Sequence, residues 1–199
     1  MNTSTVISSK QASSAHASVG IAVLRHPSHV RAMHAITGLI IVAMLISGLV
    51  MVRMDDTNPW KYERFYIWHQ SFGVIALVLV NLRMLIRLRT SLQPLPASMG
   101  KNVRRIAHAV YVLMYGLMLT VPIVGLIMSA AYPEGQGLVF FSTIVPSFLS
   151  PDNTTFQLAK SIHWILAYAF AGLIGLHGAA ALRHRFFDTA EHNVLKRMF

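Results

Sequence analysis

Two histidines, His163 and His177, lie inside one long apolar stretch at residues 161–185. In an α-helix their fourteen-residue separation places them on one face, about 40° apart around the axis and about 21 Å apart along it. The length and apolar character of the stretch predict a membrane-spanning helix. Two imidazoles on one stripe of such a helix, one near each membrane surface, indicate ligands for two stacked metal centres.

Composition restricts the class of protein that can carry these histidines. Of the 199 residues, 54% are hydrophobic and only 12% are charged, whereas soluble domains carry about 25% charged residues. The sequence therefore predicts a membrane-embedded protein. Its net charge of +10 is typical of basic loops that set membrane orientation, so nucleic-acid binding is not expected. The absence of cysteine excludes disulfides, thiolate-bound iron–sulfur clusters and covalently attached haem.

Four apolar stretches organise the rest of the chain. We predict an all-α fold, a transmembrane four-helix bundle whose spans are residues 33–52, 65–88, 106–131 and 161–185. Residues 1–30 are predicted to form a disordered cytoplasmic tail, and residues 31–199 the bundle domain. Part of the loop at residues 132–156 is predicted to form an interfacial helix.

Lysine and arginine are unevenly distributed among the loops. They are concentrated, without acidic neighbours, at residues 83–105, and they recur from residue 183 onwards. The two other loops carry most of the acidic residues. Because basic loops stay on the cytoplasmic side, both termini and the middle loop are predicted to be cytoplasmic.

This orientation matches the histidines by depth. His34 begins the first span and His69 lies near the start of the second. Because the first span runs outward and the other two run inward, His34 shares the inner depth with His177, and His69 shares the outer depth with His163. Each pair can clamp a planar metal centre from opposite sides, as bis-imidazole haem ligation requires.

A small residue follows each of these four histidines by four positions, on the same helix face. Such a residue leaves room for a flat macrocycle, and His108 and His184 lack it, being followed by Val112 and Asp188. Zinc is disfavoured because each depth offers two histidines rather than three or four ligands. The small residues are Gly38, Gly73, Ala167 and Ala181.

Further polar residues cluster at the inner depth. Two interpretations fit them: a proton-exchanging quinone pocket beside the inner haem, or partners of haem propionates and lipid headgroups. These residues are His108, His184, Arg83 and Arg87.

Several segments together resemble the bacterial cytochrome b561 family of four-helix dihaem proteins, which includes the superoxide oxidases. The resemblance covers residues 31–199 and rests on the entry to the first span at His34, IWHQSFG, NLRMLIRL, IAHAVY, TVPIVGLIM, IHW and GLHGAAALRHR. It implies two b haems with His34, His69, His163 and His177 as axial ligands. It also implies residence in the bacterial inner membrane and electron exchange with ubiquinone on the cytoplasmic side, where His184 matches a histidine of the family's quinone region.

The expected function is therefore electron transfer across the membrane between a periplasmic donor, with superoxide as a candidate, and ubiquinone. Two departures from the family stand out: Ala35 replaces the aromatic residue that often follows the first ligand, and the outer loops are not basic. The second departure weakens electrostatic capture of superoxide. Two alternatives stay open, namely a membrane-anchor subunit served by a periplasmic redox partner, as in hydrogenases and formate dehydrogenases, and a haem-free transporter or structural protein.

Overall fold

The computed structural model describes residues 25–91, 100–135 and 137–187. Four long helices dominate this part of the chain: α1 (Ser28–Arg53), α2 (Ile67–Arg89), α3 (Lys101–Ala130) and α4 (Asn153–Phe186). A π-helical segment, Lys61–Tyr66, leads directly into α2. All four helices are long and apolar enough to cross a membrane. The predicted transmembrane four-helix fold is thereby confirmed.

The helices extend beyond the apolar stretches that predicted them. The first begins at Ser28, so residues 28–30 belong to α1 and not to a disordered tail. Helix α4 begins at Asn153, because Asp152 caps it by accepting a hydrogen bond of 2.6 Å from the Thr155 amide. Hydrogen bonds from Thr155 lower the pKa of the Asp152 carboxyl, so the cap weakens only below the ordinary pKa of 3.8. Residues 1–24 and 188–199 lie outside the described part.

The loop between α3 and α4 differs from its prediction. The described residues 137–152 contain a β-hairpin, β1 (Leu138–Phe140) and β2 (Thr143–Val145), and no interfacial helix. β-Branched and aromatic residues on both sides of a two-residue turn favour this pairing. Gly137, with φ of +112°, lies where a Cβ would come within 2.5 Å of the Val145 carbonyl oxygen, so the hairpin requires glycine there.

The hairpin turn is strained and is held by α2. Phe141 has a φ of +52°, a conformation that usually requires glycine and costs about 1–3 kcal/mol. Its amide donates a 2.7 Å hydrogen bond to Ser71 Oγ, and its ring packs edge-on against Trp68 and Phe72. The Val139 amide donates a second hydrogen bond to α2, to the side-chain oxygen of Gln70. These contacts offset the strain.

The helices pack unequally. α1 packs against α2, α2 against α3, and α3 against α4, around a small buried cluster of Val80, Met118 and Phe170. Most other large apolar side chains are exposed, as expected where lipid and not protein covers the helix surface. Within the described residues, neither α1 nor α2 packs its backbone closely against α4.

Charge divides the bundle into two ends. We call the end where α1 and α3 begin the basic end, and the opposite end the acidic end. All five acidic side chains of the described residues lie at the acidic end: Asp55, Asp56, Glu63, Glu134 and Asp152. At this end Lys61 pairs with Asp56 and also donates to the Met54 carbonyl, which fixes the turn between α1 and the π-helical segment.

Replacing Ser71 with alanine should destabilise the acidic end. Ser71 is fully buried, and its hydroxyl donates to the Ile67 carbonyl while accepting from Phe141. The substitution leaves a backbone amide without its partner and should lower the free energy of unfolding by about 1–3 kcal/mol, measured by denaturation in detergent with circular dichroism. Ser161→Ala is the matched control, because its exposed hydroxyl bonds only within α4, and it should cost under about 0.5 kcal/mol. Equal losses for both variants would contradict this role of Ser71.

Candidate functional site

The structure brings four histidines together in two pairs. At the acidic end, the rings of His69 on α2 and His163 on α4 have centroids 6.4 Å apart, with planes at 81°. At the basic end, His34 on α1 and His177 on α4 lie 6.5 Å apart at 90°. We call these the acidic-end pair and the basic-end pair. The pairs are those that matching by depth gave, and their role as metal ligands stays a prediction.

The spacing of both pairs suits a metal held between two imidazoles. With each metal–nitrogen bond about 2 Å long, the ring centroids come to lie a little over about 6 Å apart. Each pair also bridges helices that do not pack closely, α1 with α4 and α2 with α4. Within the described residues no three histidine or carboxylate side chains gather around one point. A planar cofactor ligated from two sides therefore fits this donor set better than a tetrahedral ion does.

His163 is oriented by the backbone of α3. Its Nδ1 lies 3.0 Å from the carbonyl oxygen of Val121, which can only accept, so Nδ1 carries the proton and donates. The other nitrogen, Nε2, is then unprotonated in the neutral ring and is available as a ligand. Pro122, inside α3, follows Val121 directly and is the one sequence signal that marks this position.

His69 is oriented in the same way by Ser47 on α1. Its Nδ1 lies 2.9 Å from Ser47 Oγ, and the Ser47 hydroxyl donates its single proton to the Met44 carbonyl. Ser47 Oγ therefore accepts from His69 Nδ1–H, which leaves Nε2 free. Hydrogen bonds of this kind fix the tautomer and raise the basicity of a metal-bound imidazole. Ser47 lies within an apolar span, where no local motif marks it.

The basic-end pair has different surroundings. Within the described residues, the buried Nδ1 of His34 has no hydrogen-bond partner. The charge of Arg83 acts on both His34 and His177. Arg83 donates a 2.9 Å hydrogen bond to Thr37 Oγ1, a buried hydroxyl on α1, and its guanidinium lies 5.6 Å from the Tyr115 ring centroid. A cation thus stands beside this pair inside the span.

Two glycines leave space for the imidazole rings of the acidic-end pair. A Cβ built at Gly125 would lie 3.0 Å from His163 Cε1, and one at Gly48 would lie 3.3 Å from His69 Cε1. Both distances are shorter than ordinary carbon contacts. The small residues that were predicted to leave room are different ones, four positions after each histidine. Of these, a Cβ at Gly38 would meet nothing within 4 Å, which is consistent with open space there.

A groove of about 820 Å³ opens beside His69, between α1 and α2. Its lining is largely apolar and includes Leu39, Met44 and Trp68, with Arg64 as its cation. It offers space for part of a large flat molecule next to the ring of His69. Apolar lining of this kind lowers the local dielectric next to the imidazole.

The remaining candidates are dispersed along the basic end. Arg87 is an exposed residue near the end of α2, and His184 is half-buried about two turns beyond His177 on α4. His108 instead lines a separate cavity on α3 with Lys101, Arg104 and Arg105. Arg83 is connected to the basic-end pair through its hydrogen bond to Thr37, which lies one turn from His34 on α1.

Comparison with known proteins gives consistent matches over most of the chain. The family model for prokaryotic cytochrome b561 matches residues 25–199. Cytochrome b561 homolog 2 of Escherichia coli (strain K12) is 30% identical over 169 residues, covering 84% of this chain and 87% of that protein. A protein of Yersinia pestis named probable superoxide oxidase CybB is 32% identical over 163 residues, covering 80% and 89%. Cytochrome b561 homolog 1 of Escherichia coli (strain K12) is 29% identical, covering 83% and 92%.

Replacing Gly125 with alanine should disturb His163. The new methyl group would press on the imidazole and displace it from the Val121 carbonyl, because the Cβ would lie 3.0 Å from the ring. We expect a lower b-haem content per chain, measured by the pyridine haemochrome assay. Gly116→Ala on the same helix is the control, since nothing lies within 4 Å of its Cβ, and it should retain the wild-type content. Equal haem content in both variants would show that Gly125 does not shape the site.

Proposed function

We propose, because the chain belongs to the prokaryotic cytochrome b561 family, that it is a dihaem cytochrome which carries electrons across the bacterial inner membrane to ubiquinone. The family performs electron transfer in membranes with b-type haem. The observation that supports the dihaem assignment is the presence of two histidine pairs, each about 6.5 Å across, bridging helices that do not pack closely. With the basic end cytoplasmic, the acidic-end pair faces the periplasm.

In this proposal the four histidines hold the cofactors and the bundle encloses them. His69 and His163 would hold one haem through the Nε2 atoms that their hydrogen bonds leave unprotonated, and His34 and His177 would hold the other. When bound, the two haems supply one-electron transfer at potentials set by their ligands and surroundings. The apolar helices surround both sites, and the two pairs lie about 21 Å apart along α4, which is most of the thickness of the hydrocarbon core.

The unequal surroundings of the two pairs support a direction of electron flow. Nδ1–H donation by His69 and His163 makes these imidazoles more basic, which favours the oxidised form of a metal that they bind. The positive charge of Arg83 beside His34 and His177 favours the reduced form instead. Electrons would therefore move downhill from the acidic end to the basic end.

At the basic end, we assign the quinone contacts to His184 and Arg87. Arg83 is better suited to a haem propionate, because it already lies beside the basic-end pair. His108 lies among three cations, an arrangement that an uncharged quinone ring does not require. His184 offers an imidazole, a side chain that can act as a general acid or base, as quinone reduction demands.

Two donors fit the acidic end to different degrees. Superoxide is supported by the similarity to the protein named probable superoxide oxidase CybB. A protein partner is favoured by charge, because the acidic end carries five carboxylates against Arg53, Lys61, Arg64 and Lys160 among the described residues. Such a surface does not attract an anion, whereas it could meet a basic patch on a redox partner. We take superoxide as the first candidate and a periplasmic partner as the second.

A difference spectrum tests the proposal, with His69→Ala as its key variant. The purified wild type should contain two b haems per chain, reduced rapidly by superoxide and reoxidised by ubiquinone. His69→Ala should lose the acidic-end haem and retain the other, which halves the haem content. His108→Ala is the control and should keep both. If superoxide fails to reduce the two haems, a protein donor is favoured. An unchanged haem content in His69→Ala would disprove the ligand assignment.

Replacing Arg83 with glutamine should lower the midpoint potential of the basic-end haem. Removing a positive charge beside the pair disfavours the reduced form, by an amount on the order of tens of millivolts. The potentials of the two haems are resolved by spectroelectrochemical titration. Arg87→Gln, which removes an exposed charge from the same helix, should shift the potential much less because solvent screens it. Equal shifts in both variants would contradict a local effect of Arg83.

A further inference from the structure

A cluster of basic side chains lies on the first two turns of α3, outside the proposed redox machinery. Lys101, Arg104, Arg105 and His108 line a shallow cavity of about 510 Å³. Their spacing of three, four and seven residues puts all four on one face of the helix. Three permanent positive charges are thereby held within one and a half turns.

No described carboxylate can neutralise this cluster. Every acidic side chain within the described residues lies at the acidic end, a whole helix length away from Lys101. At the same end Arg89, Arg183 and Arg185 add further positive charge. The cavity therefore favours an anion supplied from outside the described part of the chain.

The surface that continues from the cavity is apolar and open. Val112, one turn beyond His108 on the same face, is 59% exposed. Gly116, a further turn along, has nothing within 4 Å of the position of a Cβ. A soluble anion gains nothing from such a strip, whereas an acyl chain would lie against it in the hydrocarbon region.

We propose that this cavity binds the phosphate headgroup of an anionic phospholipid, whose acyl chain lies along Val112 and Gly116. Lys101, Arg104 and Arg105 contact the headgroup, and His108 lines the inner wall of the cavity. Three observations support the assignment: positive charge that no described carboxylate neutralises, the cavity at the end of a membrane span, and the apolar strip on the same face. Basic side chains at membrane surfaces attract anionic lipids in this way.

Native mass spectrometry of the detergent-solubilised holoprotein tests the proposal. The probes are phosphatidylglycerol and phosphatidylcholine with identical acyl chains. We expect one phosphatidylglycerol per chain to bind saturably and phosphatidylcholine to bind far more weakly. The triple variant K101Q/R104Q/R105Q should bind phosphatidylglycerol about 100-fold more weakly, since each cation near the surface contributes about fivefold.

The matched control is R89Q/R183Q/R185Q, which removes the same charge from the same end and should retain most of the affinity. Haem content serves as the check that each variant is folded. Should the triple variant fail to fold, Arg105→Gln alone, at an exposed position, should weaken binding about fivefold. Equal affinity for both lipids, or an equal loss in the control, would overturn the proposal. Displacement of the lipid by millimolar inorganic phosphate would also overturn it, in favour of a soluble anion.

Discussion

The spacing between α4 and the two helices that face it is the constraint on which the other features of the bundle depend. A membrane bundle normally brings its helices close together, because packing is a main source of its stability. Here α3 packs closely on α4, while α1 and α2 do not. Between α4 and each of these two helices lies one histidine pair, whose two ring centroids are about 6.5 Å apart. The proposed haems would lie between these helices and would enlarge a core that is otherwise centred on the small cluster around Met118.

A network of hydrogen bonds at the acidic end holds α2, the helix that carries His69, in position. Gln70 and Ser71, which follow this histidine, hydrogen-bond to Ser129 on α3 and to the hairpin. The hairpin in turn keeps Phe141 in a conformation that would be unfavourable in isolation. Hydrogen bonds away from bulk water are costly to break, so this network resists the displacement of α2 along its axis and thereby maintains the depth of His69.

Hydrogen bonding and charge distinguish the two histidine pairs more than their geometry does. The ring spacings and angles are nearly equal, but the acidic-end imidazoles donate to fixed acceptors and the basic-end imidazoles lie beside a cation. A second asymmetry is found among the described residues, whose acidic side chains lie at one end only. The proposed orientation in the membrane and the proposed attraction of anionic lipid both rest on this distribution of charge.

The sequence by itself determined the four spans, their alternation and the matching of histidines by depth, because apolar length and helical periodicity are local properties. It did not determine where the helices begin, since capping by Asp152 and the polar first turns lie outside the apolar stretches. It also predicted an interfacial helix in part of the loop at residues 132–156, where the structure has a hairpin. Only the tertiary structure identified Ser47, Val121 and Gly125 as the groups that orient and accommodate the imidazoles. They act across helices that are distant in sequence, and no local pattern encodes such contacts.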